Sequence, residues 1–313
     1  MLRRFSDARS YTWLSIAAAL LTMALKLFAY HLTSSVGLLS DAVESVVNLI
    51  AALVALWALW LAGRPADEDH HYGHSKAEYF SSGLEGALIL VAAASIAIAA
   101  WPRLLHPQPL EQVGLGLAIS AVASAINGGV AWMLWQGGKR YRSVTLTADA
   151  RHLLTDVWTT VGVIVAVALV SLTGWNVLDP LIALAVAVNV LWTGLRLIRE
   201  SGDGLLDTAL PQVDQDTIER VLAPYRSEGI EFHALRTRGS GARRFVSLHV
   251  LVPGTWSVQQ GHDLCERIDF ALRRALTDST VFTHLEPRED PAAWDDQDLD
   301  RRLEDSDAQT DRA

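Results

Sequence analysis

The sequence predicts an α-helical membrane protein of six transmembrane helices, followed by a cytoplasmic α+β domain in the order αββαβ. Three observations carry this reading. Half of the 313 residues are hydrophobic and 19% are charged, whereas a soluble chain carries about 25%. The apolar residues gather into six runs, each supplying the about 20 residues that a helix needs to cross a bilayer. From about Asp207 the composition turns to that of a small soluble domain. The chain therefore divides into a transmembrane domain, 1–206, a cytoplasmic domain, 207–290, and an acidic tail, 291–313, expected to be disordered because it is too poor in apolar residues to fold alone.

The six runs cover roughly 11–32, 36–62, 79–101, 112–136, 144–172 and 177–199. They read as helices because a membrane barrel would show segments of about ten residues with alternating polarity. The first run, Trp13 to Tyr30, is too long for a secretory signal core and contains Lys26. Loop charges set the orientation. One side receives Arg3, Arg4, Arg9, Arg64, Lys76, Lys139, Arg140, Arg142, Arg196 and Arg199, and the other only Arg103. Ten against one places both termini in the cytoplasm.

In the soluble part, residues 212–226 read as a helix with Ile218, Val221 and Leu222 on one side. Strand-like segments follow at 231–238 and 243–252, joined through Gly239-Ser240-Gly241. A second helix at 257–276 and a third strand at Val281 to Leu285 complete the order, with helices on one face of a small sheet. The net charge of −9 lies mostly at the end, where ten acids face three bases from Glu289 onward. A nearly neutral, apolar body is not a nucleic-acid binder. A single cysteine excludes an intramolecular disulfide framework.

Ionisable residues inside a membrane are costly and mark function. Most fall in two segments, Ser40-Asp41-Ala42-Val43-Glu44-Ser45-Val46-Val47-Asn48 and Ala148-Asp149-Ala150-Arg151-His152-Leu153-Leu154-Thr155-Asp156. Both follow one pattern, with an Asp three residues before a ligand-type side chain that recurs four residues later. Glu44 and Asn48 share a helix face, as do His152 and Asp156. If the helices pack, two carboxylates, an imidazole and an amide converge, a set that balances a divalent cation and suits tetrahedral coordination. Hydrogen bonding between helices is the plainer account of either pair alone. Asp41 and Asp149 would orient the ligands. Between the second and third runs, the loop 65–78 holds three histidines and three acids within the eight residues 67–74, a metal-ligand pattern. The soluble domain adds His233, His249, His262, His284 and Glu286, with His284 and Glu286 on one strand face. Zinc-protease and Walker-type motifs are absent, which removes an intramembrane protease and a nucleotide-driven pump.

These features together resemble the cation diffusion facilitator family, closest to its bacterial iron/zinc efflux branch, from the first run to about residue 287. The stretches Tyr72-Gly73-His74-Ser75-Lys76-Ala77-Glu78 and Leu205-Leu206-Asp207-Thr208-Ala209-Leu210-Pro211 are similar in sequence as well as in position. The resemblance implies a transport site of Glu44, Asn48, His152 and Asp156, and a loop site of Asp67, His70 and His74. It also implies a cytoplasmic binuclear site of His233, His249, His262, His284 and Glu286 in a metallochaperone-like domain at a homodimer interface. Lys76 and Asp207 match an ion pair joining the two domains. Relatives carry Asp-x-x-x-Asp or His-x-x-x-Asp where this chain has Glu44 and Asn48, and Asp is common where Glu286 stands. The expected protein is a secondary active transporter of the bacterial inner membrane, not an enzyme. It exchanges a divalent metal (zinc, iron, manganese or cobalt) for protons and has no cofactor beyond the metal as substrate and regulatory ligand. A membrane-anchored metal sensor and a monovalent-cation transporter remain open at this level.

Overall fold

The computed structural model describes residues 2–33, 36–106, 113–295 and 297. The chain forms two compact units, Met1–Leu206 and Asp207–Ala313. The first consists of six helices, α1 (Leu2–Thr33), α2 (Val36–Ala62), α3 (Ala77–Leu105), α4 (Val113–Tyr141), α5 (Val144–Thr173) and α6 (Leu178–Leu205). Each follows one of the six apolar runs and most outlast it by several residues. Among the described residues, Ala8–Phe28, Ala77–Leu105 and Pro180–Leu205 are long and apolar enough to cross a membrane, and Asn48–Ala62 is a shorter apolar stretch of α2.

The bundle is inside out relative to a soluble core. Small residues line its interior, with Ala52, Ala55, Ala58 and Ala131 at 0% exposure, whereas Trp132 and Trp192 are 65% and 70% exposed. Lipid is as apolar as leucine, so large side chains gain nothing by facing inward; small residues that let backbones approach are favoured instead. The contact of α3 with α6 shows the rule. A Cβ on Gly86 would stand 2.8 Å from Cγ1 of Ile198 and 3.1 Å from the carbonyl oxygen of Gly194. One apolar cluster joins α1, α2, α4 and α5 through Ala18, Leu59, Leu134 and Leu153. Another joins α3, α5 and α6 through Ile89, Ala148 and Leu197. Helix α5 packs against each of the other five.

Helix α5 begins with a cap. Ser143 Oγ accepts from the Leu146 N–H at 3.3 Å and donates to Glu78 of α3, whose carboxylate also accepts from the Thr145 N–H. An acid at this end complements the partial positive charge of the helix N-terminus.

The second unit holds α7 (Gln212–Ser227), β1 (Glu231–Ser240), β2 (Arg243–Val252), α8 (Val258–Ala275), β3 (Ser279–Pro287) and a short 3-10 helix, Pro291–Trp294. The sheet order is β1-β2-β3, with β1 antiparallel and β3 parallel to β2. Val246, Leu248, Val250 and Val252 of β2 pack with Ile218 and Leu222 of α7 and Leu264, Ile268 and Leu272 of α8. Alternation along the strands thus leaves the other sheet face free for polar residues. A bulge between His233 and Arg236 interrupts β1, with Ala234 at φ 48°. A buried pair ties α7 to β2: Arg244 donates to Asp214 at 2.7 and 2.9 Å and to the Thr277 carbonyl at 2.7 Å.

The expected disorder from residue 291 is corrected in its first residues. Pro291–Trp294 is helical because Asp290 accepts from the Ala292 N–H, Ala293 is buried, and Trp294 Nε1 donates to the Arg288 carbonyl. Of the rest, residues 296 and 298–313 lie outside the described residues.

Candidate metal sites

Three of the four intramembrane residues meet where α2 and α5 pack. Asn48 Nδ2 donates to Asp156 Oδ2 at 2.5 Å, and His152 Nε2 donates to Asn48 Oδ1 at 2.8 Å. Asn48 and His152 are 6% and 4% exposed, so lipid and bulk water are excluded from both. The fourth residue, Glu44, lies one turn before Asn48 on α2; its side chain and that of Asp41 are outside the described residues. In the observed arrangement Asn48 bridges the other two side chains, while Nδ1 of His152 is buried without a hydrogen-bond partner among the described residues. To bind a cation, the Asn48 amide would present its oxygen inward and His152 would turn a ring lone pair toward the ion. Asp149, one turn before His152, is 1% exposed and hydrogen-bonds with Ser15 of α1.

Arg151 does not point at this cluster. It pairs with Glu200 of α6, which also accepts from Arg196 at 2.9 Å. Its charge is therefore matched one helix away from His152.

In the loop after α2, Asp67 gathers both histidines. Its Oδ1 accepts from the His70 backbone N–H at 2.8 Å and lies 3.1 Å from His70 Nδ1, and its Oδ2 lies 3.3 Å from His74 Nε2. Gly73, at φ 80°, supplies the left-handed turn that folds His74 back onto His70, with ring centroids 4.3 Å apart. Desolvation raises the Asp67 pKa, but the two His70 hydrogen bonds and the fields of His74 and His70 outweigh it and hold the carboxyl below its usual range. His74 is 8% exposed in its side chain, and its Nδ1 is buried without a hydrogen-bond partner. Lys76 Nζ donates to the Leu205 carbonyl at the end of α6 at 3.1 Å.

The open face of the cytoplasmic sheet carries the third set. His233 of β1 and His249 of β2 are register partners, as are His249 and His284 of β3. His233 Nε2 lies 2.9 Å from Glu286 Oε2, His249 Nδ1 lies 3.2 Å from the same oxygen, and the two nitrogens are 3.1 Å apart. A tetrahedral ion with bonds of about 2.0–2.1 Å has edges of about 3.3 Å, so these three atoms stand close to one face of such a site. The other oxygen of Glu286, Oε1, is 3.7 Å from Nε2 of His284, whose side chain is 64% exposed. Glu286 can therefore serve two neighbouring positions. His262 is exposed on α8 and belongs to no group of three or more ligand atoms close enough to share an ion among the described residues. Trp294 stands edge-on to His233 with centroids 5.5 Å apart. Asp207 accepts from Arg238 at 3.2 Å.

Sequence reasoning missed Glu78, Glu85 and Glu200, all helix acids. For Glu85, inside the third apolar run, that position was the available signal, since a carboxylate inside a span is costly without a purpose; Glu78 and Glu200 stand just outside the runs, where an acid is unremarkable.

Comparison with known proteins agrees with this architecture. Residues 12–206 match the model of the cation efflux transmembrane domain, and residues 210–288 match that of the cation efflux protein cytoplasmic domain. The chain is 59% identical over 287 residues to the uncharacterized transporter sll1263 of Synechocystis sp., covering 92% of this chain and 93% of the relative. It is 33% identical over 274 residues to the cation-efflux pump FieF of Serratia proteamaculans, covering 87% and 90%. It is 31% identical over 289 residues to FieF of Yersinia pestis, covering 90% and 95%. Six long helices with a polar cluster between α2 and α5, a histidine-bearing αββαβ domain, and matches that together span residues 12–288 lead to one conclusion: the chain belongs to the cation efflux family of membrane transporters.

Proposed function

We propose that the protein exports a divalent transition metal from the cytoplasm in exchange for protons, with Glu44, Asn48, His152 and Asp156 as the transport site. The observation that carries this reading is the convergence of Asn48, His152 and Asp156 from two helices, inside the bundle and within hydrogen-bonding distance. Glu44 and Asp156 supply two negative charges and Asn48 a neutral oxygen. Zinc, iron, manganese and cobalt are the candidate metals, since imidazole suits zinc and oxygen donors suit manganese and iron.

Proton coupling follows from the ligands. Imidazole must be neutral and carboxyls ionised to hold a metal, so metal and protons compete for the same atoms. A helix rearrangement that alternately opens the cluster to each side converts this competition into exchange. Asp67, His70 and His74 would bind metal in the loop, and His233, His249, His284 and Glu286 in the cytoplasmic domain, with His262 completing the set. The cytoplasmic domain would pair two copies into a homodimer. The ten-to-one charge bias supports cytoplasmic termini in a bacterial inner membrane.

The test is metal flux into proteoliposomes against imposed pH gradients. Flux that follows the gradient in the wild type and collapses in His152→Ala and Asp156→Ala is expected. Unchanged flux in those variants would remove the transport-site assignment.

A further inference from the structure

Helix α3 turns a polar stripe inward: Glu78, Ser81, Ser82 and Glu85 are all buried. Glu78 is engaged by the N-terminus of α5. Glu85, two turns deeper, is 0% exposed, and neither of its carboxylate oxygens has a hydrogen-bond partner. Ser81, one turn before it on the same face, is also 0% exposed, and its hydroxyl has no partner. Among the described residues, the titratable group that acts on Glu85 is another acid, Asp149 of α5. Asp149 bonds with Ser15 and leaves Oδ2 buried without a partner. On its own helix it feels His152 and Asp156. At this level α6 presents Gly194 and Ile198 to α3, and Arg151 is matched by Glu200.

Buried polar groups are almost always satisfied, and charged ones are paired with a counter-charge or coordinate a metal. Here four unpartnered oxygens from three side chains accumulate beside the transport site, with two acids and, among the described residues, no cationic side chain bonded to them. Apart from the Asp149–Ser15 bond, hydrogen bonding between helices does not explain the set, because none of these four atoms makes one among the described residues. We propose that Ser81, Glu85 and Asp149 form a second intramembrane station for a divalent cation, one turn nearer the N-terminus of α5 than His152. The inference rests on the export reading for its source of cations and adds a separate stop to it. The donors are all oxygen, so the station takes a hard or borderline ion such as Mn²⁺ or Fe²⁺. An ion moving along α5 meets this oxygen set before it meets His152.

The test counts Mn²⁺ bound by the full-length chain in detergent, from the electron paramagnetic resonance signal of free Mn²⁺ at fixed pH. Glu85→Gln preserves side-chain volume and removes the charge. It is expected to lose one equivalent, with the others holding affinity within about threefold, and Asp149→Asn is expected to lose the same equivalent. His152→Ala should lose a different one, so that the Glu85→Gln, His152→Ala double variant loses two. Should Glu85→Gln fail to run as a monodisperse particle, Glu85→Asp keeps the charge and shortens the reach, and weakens that equivalent at least about tenfold. A full count at wild-type affinity in the folded variant overturns the proposal and leaves Glu85 as a buried acid with no part in holding an ion. Binding is read without transport, so failure of the export reading would appear as absent flux with the count intact.

Discussion

Asn48 holds two roles that a single substitution separates. In the observed state it bridges α2 and α5, donating to Asp156 at 2.5 Å and accepting from His152 at 2.8 Å. A hydrogen bond to a charged group contributes about 1.5–3 kcal/mol and a neutral one about 0.5–1.5. Bonds between membrane helices average lower, about 0.6 kcal/mol. Asn48→Ala should therefore destabilise the metal-free protein by about 1–4 kcal/mol, read as a lower unfolding midpoint in detergent. The second role acts in the opposite direction on metal binding. If Asn48 were only a clasp between helices, its removal would free His152 and Asp156 and leave metal affinity unchanged or tighter. As a ligand, its loss weakens affinity by more than the about 10–100-fold typical of a supporting residue. The assay is the concentration dependence of zinc flux in proteoliposomes beside the metal-free unfolding midpoint. A lowered midpoint with an unchanged or smaller KM would refute ligation by Asn48.

Three further outcomes are expected. Asp214→Ala strands the buried Arg244 guanidinium and should destabilise the cytoplasmic domain by about 3–5 kcal/mol in urea unfolding followed by far-UV circular dichroism; a loss under about 1 kcal/mol would mean the pair is solvated. Gly261→Ala puts a Cβ 2.0 Å from Leu285 Cδ2, so α8 must shift from β3, at about 1–3 kcal/mol in the same assay. The Asp67 carboxyl lies below its ordinary value, so its stabilising charge is fully present above about pH 4 and is lost only as pH falls through the lowered value. Asp67→Asn should therefore weaken loop metal binding at pH 7 and at pH 5 alike, and a variant that binds as tightly as the wild type at either pH would remove Asp67 from the loop site.

The six helices were legible because lipid imposes one composition on every span, and the cytoplasmic order because polarity alternates along Val246 to Val252. The pairing of α2 with α5 was legible from the matched spacing in the two segments. Other features depended on distant partners. Arg151 stands beside His152 in sequence, and the partner that matches its charge, Glu200, is 49 positions away. Glu85 sat unremarked in an apolar run because nothing local distinguishes an acid that faces the bundle from one near a helix end. His262 shows the reverse limit: a histidine in a histidine-rich domain invites assignment by type, while its helix position leaves it exposed. Residues 291–294 looked like the start of a solvated tail, and only the seats taken by Ala293 and Trp294 order them.

The bulge in β1 gives the cytoplasmic cluster an unusual kind of encoding. Ala234 and Leu235 occupy the gap between His233, opposite His249, and Arg236, opposite Ser247. Removing one of them would alter no ligand and no core side chain on β2 or β3. It would nevertheless slide one arm of the hairpin by a position and turn either His233 or the strand beyond it to the opposite face. The address of this histidine cluster is thus stored in a count of residues as much as in their identities. Length changes in this hairpin, more than substitutions around it, should mark where relatives have gained or abandoned the site.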